Sequence, residues 1–79
     1  MERNQIFEKI IEICKDVFEN DKLEVTDATS SMDVEEWDSL TYLSLINEIQ
    51  DAFEMTFTLD EIIHFKNLGE LTDTLIKRI

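Results

Sequence analysis

The chain has 79 residues, 43% of them hydrophobic, enough for one small domain over residues 1–79 whose thin core leaves little room for a deep active-site cleft. Its single Cys excludes an internal disulfide framework, and a formal net charge of −12 with no basic patch disfavours nucleic acid and anionic membrane as partners. The opening Met1-Glu2-Arg3-Asn4 lacks a signal-peptide pattern, and no apolar run approaches the ~20 residues of a membrane span, so a cytoplasmic monomer is expected.

A first helix is predicted over residues 2–18. Ile6, Ile10, Ile13 and Val17 fall on one helical face, and Phe7, Ile11, Cys14 and Phe18 widen it. Cys14 lies inside that band and reads as a buried small hydrophobe. Residues 19–37 lose the helical period. Asn20-Asp21 and the cluster Thr26 to Ser31 supply loop chemistry, and Leu23 and Val25 are the expected anchors. So long a loop in a compact domain is often functional. A second helix starts near Asp38, a good N-cap, with Leu40, Leu43, Ile46, Ile49 and Phe53 as its apolar face and Leu45 and Ala52 beside it. Thr58 with Glu61 forms a capping box that opens a short third helix to about Phe65. Asn67 with Glu70 repeats that logic for a last helix, where Leu68, Leu71, Leu75 and Ile79 lie at helical spacings. The fold class is all-α: a small four-helix bundle of three longer helices and one short one, with a long loop between the first and second. Its expected core includes Ile10, Ile13, Leu43, Ile49, Phe53, Leu71 and Leu75.

The charge is unevenly placed. From Glu19 to Glu61 stand 13 acids and one base, Lys22, whereas the two ends of the chain are balanced. A basic protein surface is the natural complement. Catalytic constellations are missing. His64 stands alone, the one Gly excludes phosphate-cradling loops, and the many carboxylates lie in a polar stretch without the burial that raises a pKa for acid catalysis. No metal site is expected. Asp27, Thr29, Ser31, Asp33, Glu35 and Asp38 match a calcium-loop register, but Met32 stands where the sharp turn needs Gly, and Asp38 replaces a bidentate Glu. The remaining segment is Glu35-Glu36-Trp37-Asp38-Ser39-Leu40. Ser39 follows the cap, so its hydroxyl falls in the first turn, at the positive end of the helix dipole, where a phosphate group is well accommodated. No base stands by to make it a nucleophile.

In their order and spacing these pieces resemble the acyl carrier protein family over nearly the full length. Asp38-Ser39-Leu40 opens the second helix, an apolar run continues through Ile49, and Phe53 closes it. Phe57, Leu59-Asp60-Glu61-Ile62 and Leu68-Gly69-Glu70-Leu71 follow. The resemblance implies a carrier and not an enzyme. It makes Ser39 the attachment point of phosphopantetheine, flanked by Asp38 and Leu40, whose thiol holds an acyl or aminoacyl thioester. The implied partners are a phosphopantetheinyl transferase, an acyl- or aminoacyl-loading ligase, and a downstream acyltransferase or synthase. The second helix becomes the docking surface, with Glu35, Glu36, Glu48, Asp51 and Glu54 as its acids. The cargo space is expected between the second and third helices, facing Ile46, Ile49, Phe57, Ile62 and Phe65. Carriers of central fatty acid synthesis usually have Gly at the position of Glu36 and a denser acidic row on the second helix, here diluted by Thr41, Ser44, Asn47 and Gln50. The Glu-Trp-Asp-Ser-Leu form looks more like stand-alone carriers of specialised pathways; a D-alanyl-type carrier is less similar. The competing functions are an unmodified acidic adaptor and a calcium-binding protein.

Overall fold

The computed structural model describes residues 2–79, so Met1, part of the opening segment read above, lies outside the described residues. Four helices follow in chain order: α1 (Arg3–Val17), α2 (Ser39–Phe53), α3 (Leu59–His64) and α4 (Leu68–Arg78). The all-α bundle with a long α1–α2 loop is the expected one. α1 packs on both α2 and α4.

α1 begins with a capping box in which Glu2 and Gln5 exchange side chain and backbone. Its buried residues are Ile6, Ile10 and Cys14, followed by Phe18 at the C-cap. Ile13 and Val17 flank this line partly buried, so the centre of the stripe runs through Cys14. Burial pushes the Cys14 thiol up to about 12. The helix stops where Glu19 enters the left-handed region at φ 53°.

α2 buries Leu45, Ile46 and Ile49. Tyr42 and Phe53 pack partly buried beside them. Leu43, expected in the core, is 53% exposed, and Leu40 is 79% exposed. The reason is angular. At about 100° per residue, a stripe centred on Tyr42, Leu45, Ile46 and Ile49 leaves Leu43 about 100° and Leu40 about 160° off its axis. Phe53 lies at the stripe's end, its outer ring face under the Lys9 ammonium at 5.5 Å. Glu54 closes the helix in the left-handed region at φ 52°.

α3 is capped as its sequence suggests: Thr58 Oγ1 accepts from Glu61 N–H at 3.1 Å, and Glu61 Oε1 accepts from Thr58 N–H at 2.9 Å. It buries no residue of its own. Three contacts hold it instead. Tyr42 Oη donates to the Ile62 carbonyl at 2.6 Å, Phe65 meets Phe57 edge-on at 5.2 Å, and Arg78 pairs with Glu61. These contacts bring Phe57 and the end of α4 to α3.

α4 buries Leu68, Gly69, Leu71, Thr72 and Leu75. Thr72 satisfies its hydroxyl on the Leu68 carbonyl at 2.7 Å. Ile79 falls beyond the helix and is exposed. Asn67 caps the Glu70 amide as expected, but the return half differs: Glu70 Oε1 accepts from Lys66 N–H, not from Asn67.

The α1–α2 loop is docked on the start of α4. Gly69 N–H donates to the Asp27 carbonyl at 2.8 Å and Leu68 N–H to the Thr29 carbonyl at 3.0 Å, satisfying two amides that a helix start leaves free. Arg3 clamps the junction by pairing with Asp27 and Asp73. Leu23 and Val25 anchor the loop partly buried, and Val34 does so more deeply.

Candidate functional site

The second half of the loop delivers Trp37 and Asp38 to the start of α2. Trp37 stacks on Phe18 and on Tyr42, each at a 5.8 Å centroid distance, so the chain enters the helix between fixed aromatic rings. Asp38 then caps α2. Its Oδ1 accepts from Leu40 and Thr41 N–H, each at 2.9 Å. Thr41 returns the bond, its Oγ1 accepting from Asp38 N–H at 2.8 Å and donating to the Glu36 carbonyl at 2.7 Å. The Thr41 amide first, and then its hydroxyl and the Leu40 amide, hold the Asp38 carboxyl below the usual range.

Ser39 is the first residue of α2 and is exposed. The hydrogen bonds of that first turn run between Asp38, Leu40 and Thr41, leaving the Ser39 side chain outside the capping network. Beside it lies an open groove of about 320 Å³. Trp37, Asp38, Ser39 and Tyr42 line it from the α2 side. Ile62, Ile63, Phe65 and Lys66 line it from α3 and the link that follows, and Ser31 from the loop. Burial of Tyr42 pushes its phenol up to about 12, so at neutral pH it remains a hydrogen-bond donor to Ile62.

Sequence reasoning placed this space differently. Of its expected residues, Ile62 and Phe65 do line the groove. Ile46, Ile49 and Phe57 belong to the core. Trp37 and Tyr42 line this groove, which opens at the N-terminal end of α2. One signal was available in the sequence: aromatic Trp37 and Tyr42 stand on either side of the segment Asp38-Ser39-Leu40-Thr41. Leu40 stands exposed next to Ser39, and Leu43 and Ile63 add further exposed apolar surface.

The expected docking acids divide into two kinds. Glu35, Glu48, Asp51 and Glu54 are exposed. Glu36 is partly buried and turned inward, its Oε2 accepting from Asn20 Nδ2 at 3.2 Å. The calcium-loop register does not assemble: Asp27 is paired with Arg3, and Asp33 accepts from Ser30 N–H. Among the described residues no group of three or more His, Cys, Asp or Glu is arranged to hold a metal ion, and none of the helices is long and apolar enough to cross a membrane. His64, exposed on α3, has its Nδ1 at 2.7 Å from the Asp60 carbonyl and 3.4 Å from the Asp60 carboxylate.

An exposed hydroxyl at a helix start, free of the capping network and beside a groove, fits a covalently attached phosphodiester. The dipole accommodates the charge, and no side chain blocks the oxygen. Phosphopantetheine, when bound, supplies a flexible arm ending in a thiol that carries an acyl group as a thioester. Comparison with known proteins agrees with this chemistry. The family model described as "Phosphopantetheine attachment site" matches residues 8–75. The acyl carrier protein of Rubrobacter xylanophilus is 34% identical over 77 residues, covering 98% of this chain and 95% of that protein. The solution structure of holo acyl carrier protein from Geobacter metallireducens superposes with a TM-score of 0.84 at 32% identity, over 90% of this chain and 82% of that one. A helix start fit for a phosphodiester, with agreement in both sequence and fold, establishes that this chain belongs to the acyl carrier protein family, whose members are phosphopantetheine-bearing carriers and not catalysts.

Proposed function

We propose that residues 1–79 form a single carrier domain whose phosphopantetheine is attached through the Ser39 hydroxyl. The observation that carries this reading is Ser39 itself: first in α2, exposed, and outside the hydrogen bonds that its neighbours use to cap the helix. Asp38 fixes the helix start and offers an outer carboxylate oxygen toward the metal ion of a phosphopantetheinyl transferase. Leu40 presents an apolar side chain beside the attachment point. The exposed acids Glu35, Glu48, Asp51 and Glu54, with Glu36 supporting the loop, form a rim for basic partner surfaces. Those partners are the transferase, a ligase that loads an acyl or aminoacyl cargo, and an acyltransferase or synthase that accepts it, within the cytoplasm. The bulk of Trp37, Tyr42 and Phe65 around the groove supports a short or polar cargo, and the Glu-Trp-Asp-Ser-Leu form supports a stand-alone, monomeric carrier of a specialised pathway.

The test is intact mass. Incubated with coenzyme A and a broad-specificity transferase, the wild type gains the mass of one phosphopantetheine and Ser39→Ala gains none. Circular dichroism confirms that Ser39→Ala is folded, since Ala is well tolerated in a helix start. Equal modification of Ser39→Ala, or no modification of the wild type by several transferases, overturns the assignment.

A further inference from the structure

The groove beside Ser39 is lined by a single cation, Lys66. The α2 wall of the groove belongs to the stretch from Glu19 to Glu61 with 13 acids and one base, and Asp38 is the acid of that stretch that lines the groove. Lys66 is exposed, and the ion pairs among the described residues use Arg3, His64 and Arg78 instead. Its backbone, by contrast, is fixed, because its N–H donates to Glu70 Oε1 at 3.2 Å. Neither the Asp38 nor the Glu70 carboxylate is paired with the ammonium. Asp38 lines the same groove, but its Oδ1 is already engaged by two amides. Glu70 is engaged by the Lys66 amide. An exposed lysine alone calls for no explanation. This one lines the wall across from a hydroxyl that receives a negatively charged arm.

We propose that Lys66 holds an anionic oxygen group borne on the Ser39 arm, drawing the arm into the groove between α2 and α3. The proposal rests on Ser39 being the attachment residue. The shared chemistry has two sources: the phosphodiester bonded to Ser39, and a terminal carboxylate on a short cargo. Either brings a negative charge to a groove whose lining holds one acid, Asp38, and one base, Lys66, so the ammonium is the one cation there that can draw the arm inside. Lys66 is thus a positioning residue. Trp37, the only Trp in the chain, lines the same groove and reports its occupation.

The experiment loads four proteins (wild type, Lys66→Gln, Lys66→Glu and Lys66→Arg) with three arms by a broad-specificity transferase. The arms are bare phosphopantetheine, a neutral short acyl form, and an equally long form ending in a carboxylate. Intact mass confirms each product, and acrylamide quenching of Trp37 fluorescence is compared with the unmodified protein. Arm attachment should protect Trp37 in the wild type and in Lys66→Arg. The protection should fall by about twofold or more in Lys66→Gln, the scale of an exposed ion pair, and vanish in Lys66→Glu. It should also fade in about 0.5 M salt, where the Debye length drops to roughly 4 Å. Protection by the bare arm identifies the phosphodiester as the anion held; protection confined to the carboxylate-ended arm identifies the cargo. Equal quenching in all four proteins with mass-confirmed arms overturns the role of Lys66 and leaves Ser39 standing. Failure of the mass gain overturns both.

Discussion

Gly69→Ala sets helix propensity directly against loop docking. Ala is favoured over Gly in a helix interior by up to about 1 kcal/mol, less near an end, and Gly69 is the second residue of α4. Propensity alone therefore predicts a modest stabilisation. The geometry predicts the reverse. A Cβ at position 69 would stand 3.0 Å from both the Cβ and the carbonyl oxygen of Asp27, and 3.2 Å from Asn67 Oδ1. Two of these neighbours cannot swing away as a flexible side-chain tip would. Relief requires the Asp27 backbone to retreat, stretching the 2.8 Å bond from Gly69 N–H and straining the adjacent Leu68–Thr29 bond. Overpacking of this kind costs about 1–3 kcal/mol. With the propensity gain subtracted, the variant should be destabilised by about 1–2 kcal/mol, a fall of roughly 5–15 °C in Tm for a domain of this size. Thermal and urea unfolding followed by circular dichroism measure it, and an unchanged m-value confirms that the native state has shifted in stability and not in compactness. A variant as stable as the wild type, or more so, would show that the loop yields freely and that its docking on α4 is not what fixes the approach to Ser39.

Three further outcomes follow from the site. Because its folded pKa is depressed, the Asp38 carboxylate stabilises the fold above its unfolded value of about 3.9 and loses that contribution as pH falls through the folded value. The Tm difference between wild type and Asp38→Asn should therefore be level above roughly pH 5 and change only below it; a difference that varies instead around neutral pH would contradict the assignment. Tyr42→Phe removes the 2.6 Å bond to the Ile62 carbonyl and should cost about 1 kcal/mol, with faster amide hydrogen exchange in α3 and little change in α1. Uniform acceleration throughout the bundle would mean that Tyr42 supports the core and not α3. Reversing Glu48 and Asp51 together to Lys should slow modification by a basic transferase and flatten its salt dependence, since rim charges act mainly on association; kinetics unmoved by both the reversal and added salt would assign these acids to solubility alone.

Much of the architecture was legible because it rests on local rules. Asp38, Thr58 and Asn67 each announced a helix start, and each caps one. Ile10, Ile49, Leu71 and Leu75 were readable as core from spacing and are buried. Leu43 was not, since an apolar residue 100° off a stripe has the same composition as one on it, and only the partner helix decides which side is covered. Val34 and Thr29 escaped notice for a different reason: a loop has no period, so nothing in the sequence separates its buried residues from its exposed ones. The groove beside Ser39 is not legible in the sequence, because its walls come from a loop, a helix start and a helix with no buried residue. Their juxtaposition is tertiary. Ser39, by contrast, stands out from the local pattern around it, and it is exposed at the start of α2 as that pattern predicts.

That α3 contributes no residue to the core has a kinetic consequence. The fully buried side chains come from α1, α2, α4 and their links, while α3 adds only the partly buried Ile62. The six residues of α3, held on a hydroxyl, an aromatic edge and an arginine, are therefore expected to close late. Contacts formed after the transition state leave the folding rate untouched and are felt wholly in unfolding. Substitutions at Tyr42 Oη, Glu61 or Arg78 should thus have φ-values near zero. A carrier built in this way can vary the wall of the groove beside Ser39 through evolution without slowing its own folding.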